Sequence, residues 1–341
     1  MTASSTRSLV MGTRGSPLAL AQARQFARQL EAAHENLVVE ERIIRTTGDK
    51  NQISSLPAIG GKGVFTLEIE AALLDGTIDF AVHSLKDLPP DLPLGLTLGC
   101  IPKRESAHDV LVLREECEQL HSDDPNFGFP PRFTPHYLRH NARIGTSSLR
   151  RRAALLNVRP DLEIEDIRGN IDTRLRKMYE QNFDAIMLAE AGLRRLGFTN
   201  GKQIETKLGR CHLHRLFHWR LFSHCVPAPG QGALAIECRQ NDNRVLELLS
   251  ALEDEATRIE ISVERAVVRA LNAGCSTPLG VYARFKEGKV FTVSCVISPD
   301  GKERVDVDQE ARSADNAERI GQNVARELLE KGAQKLLATH F

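Results

Sequence analysis

The feature that most constrains this chain is an order of elements that occurs twice. Gly12-Thr13-Arg14-Gly15-Ser16 leads into Pro17, and serine followed by proline is a helix start; Ala23, Phe26, Ala27 and Leu30 then form a stripe at helical spacing. Leu37 to Thr46, rich in Val and Ile, reads as a strand. Phe65, Ile69, Ala72 and Leu73 mark a second helix that Gly76 ends, and Asp79 to His83 is a short apolar strand. The order then recurs. Gly145-Thr146-Ser147-Ser148 opens a helix with Leu149, Ala153 and Leu156, Leu162 to Ile167 is strand-like, Ile171, Leu175 and Met178 stripe another helix, and Asp184 to Ala189 parallels Asp79 to His83. Loop lengths differ between the halves, so the echo is topological and not a repeat of fixed period. The expected architecture is two related α/β lobes with a cleft between them.

From about Ala251 the pattern changes to a long helix carrying Ile259, Val263, Val267 and Leu271, which Gly274 is expected to stop. Three strands follow, separated by the turn residues Glu287-Gly288 and Pro299-Asp300-Gly301, and a last helix is expected from about Ala314 to Leu337. This reads as a small C-terminal α+β domain. The expected division is lobe 1 over 1–102 with 233–250, lobe 2 over 108–226, and the C-terminal domain over 255–341. Two stretches of lobe 2 read as insertions. Residues near 115–141 are rich in Pro, Asp and His with little periodicity, and those at 207–225 combine basic residues, His, two Cys and the one Trp with no acid.

Lysine plus arginine equals aspartate plus glutamate, 45 against 45, so no global field recruits nucleic acid or an anionic membrane. Apolar runs are far short of the ~18 residues of a membrane span, and the amino terminus lacks a hydrophobic signal core. The seven cysteines are odd in number and widely spaced, which suggests reduced thiols and not a disulfide framework. A cytoplasmic protein, monomeric by default, is expected.

In a neutral chain, the placement of its cations becomes informative. Arg14, Lys62, Lys86, Arg150, Arg151, Arg168, Arg174 and Arg195 stand mostly beside Gly, Ser or Thr at element ends. Guanidinium forks bind carboxylates and phosphates bidentately, and helix amino termini add N–H donors. The implied ligand is a polyanion. Gly60-Gly61-Lys62-Gly63 fails as a nucleotide loop, because Gly63 and Leu56 stand where Ser or Thr and Gly are required. Gly145-Thr146-Ser147-Ser148-Leu149 fails as a nucleophile elbow at Leu149. Carboxylates therefore remain as attractive anions.

Asp87 lies between Lys86 and a proline turn at a strand end, where it reads either as an acid/base or cation-stabilising group or as a turn-forming aspartate. Cys275 follows the helix-ending glycine and reads either as a nucleophile or attachment point or as an inert thiol. Cys211, His212, His214, His218, His224 and Cys225 lack the spacing of a standard zinc site, and no metal is expected.

Together these residues closely resemble the porphobilinogen deaminase family. The motifs are Thr13-Arg14-Gly15-Ser16-Pro17-Leu18-Ala19-Leu20, Gly60-Gly61-Lys62-Gly63, His83-Ser84-Leu85-Lys86-Asp87-Leu88-Pro89, Gly145 to Arg151, Arg168-Gly169-Asn170, Pro229-Gly230-Gln231-Gly232-Ala233 and Gly274-Cys275. They stand in the family's order over nearly the whole chain. The resemblance implies two lobes like those of periplasmic binding proteins plus a third domain. It also implies a dipyrromethane cofactor held by a thioether to Cys275, onto which four porphobilinogen molecules are condensed with loss of ammonia before water releases hydroxymethylbilane.

By the same resemblance, Asp87 is the catalytic group, hydrogen-bonding pyrrole N–H groups and stabilising the charge that develops as ammonia leaves. Cofactor and substrate carboxylates would be bound by Arg14, Ser16, Lys62, Ser84, Lys86, Thr146, Ser147, Ser148, Arg150, Arg151, Arg168, Gly169, Arg174, Arg195 and Gln231. The chain departs from the family at Ala58, where many members have lysine, and at 115–141 and 207–225. The last departure leaves the final helix of lobe 2 open. A non-catalytic two-lobed protein that binds anions or pyrroles is the alternative.

Overall fold

The computed structural model describes residues 7–47, 66–117, 138–199, 203–215, 224–274, 277–311 and 316–338. They fall into two compact units, Met1–Glu105 with Gly232–Ile261, and Ser106–Gln231 with Ser262–Phe341.

Unit 1 begins with β1 (Arg7–Thr13), α1 (Pro17–Ala33), β2 (Leu37–Ile43), α2 (Leu67–Leu74), β3 (Phe80–Ser84) and β4 (Leu96–Cys100). The chain then builds β5 (Asp109–Arg114), β6 (Arg143–Gly145), α3 (Leu149–Val158), β7 (Glu163–Glu165), α4 (Ile171–Glu180), β8 (Ala185–Ala189), α5 (Glu190–Arg195), β9 (Gln203–Thr206) and β10 (Gly209–Arg215) in unit 2. It returns to unit 1 for β11 (Leu234–Arg239) and α6 (Asn243–Ser250). α7 (Glu255–Ala270) belongs to unit 1 up to Ile261 and to unit 2 from Ser262. Unit 2 ends with β12 (Leu279–Lys286), β13 (Lys289–Ile297), β14 (Arg304–Ala311), α8 (Ala317–Glu330) and α9 (Ala333–Ala338).

The topological echo is present in the sheets. Unit 1 has the order β2-β1-β3-β11-β4 and the larger sheet of unit 2 the order β7-β6-β8-β5-β10-β9. In each, two parallel pairs are followed by an antiparallel one: β1 with β2 and β3, then β3 with β11; β6 with β7 and β8, then β8 with β5. Helices cover both faces, so the central strands β3, β5 and β8 are nearly continuous apolar runs. In unit 1, Phe26 and Leu30 of α1 and Leu248 of α6 pack on Leu9, Phe80 and Ile236, while Ile69 and Leu73 of α2 pack on Ala81 from the other side. In unit 2, Ala153 and Leu155 of α3 share a core with Leu111, Ile144 and Met187, and Leu175 and Met178 of α4 share another with Val112 and Ile186.

The third sheet is antiparallel, in the order β12-β13-β14. Glu287 and Gly288 both have positive φ, 52° and 73°, as a two-residue hairpin turn requires. Val324 and Leu328 of α8 and Leu336 of α9 cover Val281, Val296 and Val307. Two sequence expectations are corrected here. α7 is stopped not by Gly274 but by Asn272, which takes the left-handed conformation (φ 47°) while Ala273 N–H donates to Val268 O and Asn272 N–H to Arg269 O. The last helix is not continuous, because Gly332 (φ 95°) breaks it between α8 and α9.

The 207–225 segment, where a helix was in question, forms strand β10 as far as Arg215. It pairs with β5 and β9, and Cys211 is buried in the α4-side core. Residues 118–137 of the first insertion and 216–223 of the second lie outside the described residues.

α8 crosses α7 closely at Gly321, where an added Cβ would meet Ala266 Cβ at 2.4 Å and Val263 O at 2.6 Å. Since one of these is backbone, the contact cannot relax by rotating a side chain. Gly321→Val is expected to destabilise the fold by about 1–3 kcal/mol through overpacking, read as a lower midpoint of thermal unfolding.

Candidate active site

In unit 1 the site residues follow the carboxyl ends of two adjacent strands. β1 and β3 are parallel, with Met11 opposite Phe80 and Gly12 opposite Ala81. After β1, Arg14 and Gly15 turn the chain into α1, whose N-cap Ser16 accepts from Ala19 N at 3.3 Å with Pro17 as the first helical residue. After β3, Ser84 Oγ accepts from Gln22 Nε2 at 2.9 Å, which ties this strand end to α1. One turn of 3-10 helix follows, Leu85–Asp87, closed by Leu88 N–H to Leu85 O. Leu85 and Leu88 are buried, so the turn directs Asp87 outward as an exposed carboxylate and leaves Lys86 half-buried.

Unit 2 uses the same device at β6 and β7. Thr146 N–H donates to Glu165 O, Thr146 Oγ1 accepts from Ser148 N at 3.2 Å, and Ser147 Oγ donates to Ile167 O at 3.1 Å. Ser148 caps α3. Arg168 and Gly169 follow β7 and lead into α4, where Arg174 Nε donates to Gly169 O at 2.7 Å. Arg195 lies in the last turn of α5, after β8. The predicted residues of both units thus gather at strand carboxyl ends, where open α/β sheets present their ligand groups.

Asp109, which the sequence reading passed over, organises part of this set. It opens β5 and is completely buried. Arg150 Nη1 is 2.7 Å from its Oδ2, Arg151 Nη2 is 2.7 Å and Nε 2.8 Å from its Oδ1, and Gln231 Nε2 donates to Oδ1 at 3.0 Å. The same Arg150 nitrogen donates to Val226 O, Arg151 Nη1 to Met187 O, and Gln231 Nε2 to Ala107 O. Arg151 and Gln231, expected among the ligand-binding groups, therefore have their donors committed inside the protein. A carboxylate at the head of the apolar run Val110-Leu111-Val112-Leu113 was the signal that something had to neutralise it.

Burial pushes the Asp109 carboxyl up, but the charges of Arg150 and Arg151 and the hydrogen bonds from Arg150 and Gln231 more than offset this and hold it below the usual range. Two guanidinium groups against one carboxylate leave a net positive charge. Arg174 adds to it: burial, and then the nearby Arg151 charge, pull its guanidinium down to about 10. Its one hydrogen bond among the described residues is to Gly169 O, and no carboxylate answers it.

Lys62 and Cys275 lie outside the described residues. Gly274 and Thr277, on either side of the Cys275-Ser276 pair, exchange two hydrogen bonds, Thr277 N–H to Gly274 O and Gly274 N–H to Thr277 Oγ1, both at 3.0 Å. Among the described residues no group of three or more His, Cys, Asp and Glu side chains is placed to hold a metal ion, and no helix is long and apolar enough to cross a membrane.

Because the Asp109 carboxyl is held low in the folded state, its contribution to stability is present above the ordinary carboxylate range and is lost only as pH falls below it. Asp109→Asn leaves two buried guanidinium groups without a counter-charge. It is expected to cost about 3–5 kcal/mol at neutral pH, and the penalty should shrink in strong acid when both proteins are unfolded by denaturant across a pH series.

Comparison with known proteins agrees with this arrangement. Residues 9–247 match the family model described as porphobilinogen deaminase, dipyromethane cofactor binding domain, and residues 258–330 match the porphobilinogen deaminase C-terminal domain. A porphobilinogen deaminase of Macrococcus caseolyticus (strain JCSC5402) is 42% identical over 333 residues, covering 98% of each chain. One of Syntrophotalea carbinolica (strain DSM 2380 / NBRC 103641 / GraBd1) is 43% identical over 334 residues, 98% of this chain and 96% of the relative. One of Syntrophobacter fumaroxidans (strain DSM 10017 / MPOB) is 42% identical over 331 residues, 97% of each. Likeness of this extent does not favour the non-catalytic alternative. The chain belongs to the porphobilinogen deaminase family, transferases of tetrapyrrole synthesis that carry a dipyrromethane cofactor.

Proposed function

We propose that this chain is a hydroxymethylbilane synthase in which Asp87 is the catalytic carboxylate and Cys275 the point of cofactor attachment. The reaction joins four porphobilinogen molecules head to tail with loss of ammonia, and each pyrrole ring brings an acetate and a propionate. The observation that carries the reading is Arg174, a half-buried guanidinium with no carboxylate partner among the described residues, next to a cluster that is itself net positive. A half-buried cation without a described counter-ion fits an anionic ligand, because ligand carboxylates supply the missing charge. Dipyrromethane has such carboxylates, so the residues present fit the group.

When bound, that cofactor supplies the pyrrole carbon to which the first substrate is joined. The rest is done by the chain's own side chains. Arg174, Arg168, Arg195 and the donors of Thr146, Ser147, Ser148 and Gly169 would bind ring carboxylates on unit 2, and Arg150 and Arg151 set the positive field there. Gln231 takes part through Asp109. On unit 1, Arg14, Ser16, Ser84 and Lys86 would hold carboxylates, with Lys62 from the glycine-rich segment. Asp87, turned outward at the end of β3, can accept hydrogen bonds from pyrrole N–H groups and stabilise the positive charge on the substrate as ammonia leaves. Cys275 would hold the cofactor by a thioether. Equal numbers of cationic and anionic residues support a protein without a nucleic-acid partner, since no overall field recruits one.

Asp87→Ala is expected to abolish turnover of porphobilinogen while leaving the unfolding midpoint unchanged, since an exposed carboxylate adds little to packing; normal turnover in that variant would end the assignment. The intact mass of the purified protein, after incubation with porphobilinogen, should exceed the chain's own by two linked pyrroles, mapped to the Cys275 peptide. Cys275→Ala should show the bare mass, and a primed Cys275→Ala protein would place the anchor elsewhere.

A further inference from the structure

Three ionisable side chains meet inside unit 1, on the α2 side of its sheet. β3 and β11 are antiparallel, with His83 opposite Ala235 and Ala81 opposite Glu237, so His83 and Glu237 leave the same face as diagonal neighbours. His83 Nε2 lies 3.1 Å from Glu237 Oε2, with side-chain exposures of 5% and 0%. Glu70 of α2 is buried over the same face, between Ile69 and Leu73 in a helix that packs on Ala81. Leu85, Ala233 and Ala235 complete an apolar surround.

No arginine or lysine side chain is placed against either carboxylate among the described residues. Arg239, two residues beyond Glu237, directs its guanidinium to Leu73 O, Ile78 O, Asp79 and Asp242. Glu68, on α2, receives Thr47 N–H and Oγ1–H on its Oε1. β4 contributes no charged residue. Both oxygens of Glu237, Oε1 of Glu70 and Nε2 of His83 lack a directed hydrogen bond, so what joins His83 to Glu237 is proximity of charge. Two buried carboxylates in such a shell require protons or a cation. Counted from two carboxylates and a neutral imidazole, the three groups are neutral together when they share two protons. Burial raises the Glu70 carboxyl and the Glu237 charge acts in the same direction, against smaller lowering effects of Thr66 and His83.

We propose that Glu70, His83 and Glu237 form a charge-balanced buried cluster that fixes the end of β3, and that Glu237, through His83, is a positioning residue for Asp87. His83 is the penultimate residue of β3, and the closed turn Leu85–Asp87 begins two residues later, so the set of the His83 ring is passed along a short, hydrogen-bonded path. The inference rests on the role proposed for Asp87. It also predicts a pH effect with a definite sign: as pH rises and Glu70 ionises, a second buried negative charge appears beside Glu237 and the strand end loosens.

The test compares Asp87→Ala, Glu237→Gln, His83→Gln, Glu237→Gln with His83→Gln, and Glu70→Gln, measuring kcat and KM across pH with the unfolding midpoint as control. Glu237→Gln is expected to lower kcat about tenfold with KM changed by less than about twofold. The double variant should be no slower than the slower single one. Glu70→Gln, which cannot ionise, should move the alkaline limb of the kcat profile to higher pH. A folded Glu237→Gln protein with an unaltered kcat profile, beside an inactive Asp87→Ala, would overturn this inference alone. An active Asp87→Ala would remove the group being positioned and with it both readings. Should Glu237→Gln not fold, Glu70→Gln decides: an alkaline limb that stays in place overturns the cluster.

Discussion

A carboxylate with no water around it governs unit 2. Asp109 is stable only because cations and donors reach it from separate parts of the chain, Arg150 and Arg151 from the first turn of α3 and Gln231 from the turn ahead of β11. The same donors do more than neutralise it. Arg150 also reaches Val226 O and Arg151 reaches Met187 O, so the first turn of α3 is joined to β5, to β8 and to the segment that precedes the Pro-Gly-Gln-Gly turn. Cys225 sits beside Arg150, and burial and then the Asp109 charge push its thiol up to about 12. It is a packing residue, protonated at neutral pH, and not a competitor for the chemistry assigned to Cys275.

The charge that Asp109 does not neutralise explains why unit 2 fits an anion. With two guanidinium groups on one carboxylate and Arg174 nearby unanswered among the described residues, positive potential is concentrated where the helix amino termini of α3 and α4 also direct N–H groups. Such a surplus would weaken the ligand-free fold, and carboxylates that bind the folded chain alone would relieve it. A chain with 45 charges of each sign achieves this by placement, without any overall excess.

Periodicity made most of the fold legible, because buried faces impose spacings of 3.6 and 2 wherever an element packs. Element ends were harder, since they depend on the backbone conformation of single residues: Asn272 takes the left-handed position that Gly274 was expected to take, and Gly332 divides a helix that reads as continuous. In the 207–225 segment, composition hid a strand. Cys211 faces the core while the neighbouring Arg210 and His212 stand near Glu115, which is ordinary alternation with unusual residue types. Among the site residues, position at an element end was legible but partner was not. Arg151 and Arg174 look alike in sequence, and what separates them is a carboxylate 42 residues before Arg151 that only the fold brings to it.

The two lobes answer the same problem in different ways, and the difference matches the chemistry proposed for each. At the end of β8 in unit 2, Glu190 is buried and fully matched by Arg194, Arg215 and Ser106, so that strand end offers no acid to a ligand. At the corresponding strand end in unit 1, β3 turns Asp87 outward, and of the buried acids Glu70 and Glu237 nearby, Glu237 is met by a histidine instead of by arginine. Related strand orders thus support a lobe whose strand-end acid is matched by arginine and a lobe that presents an exposed acid at the corresponding end.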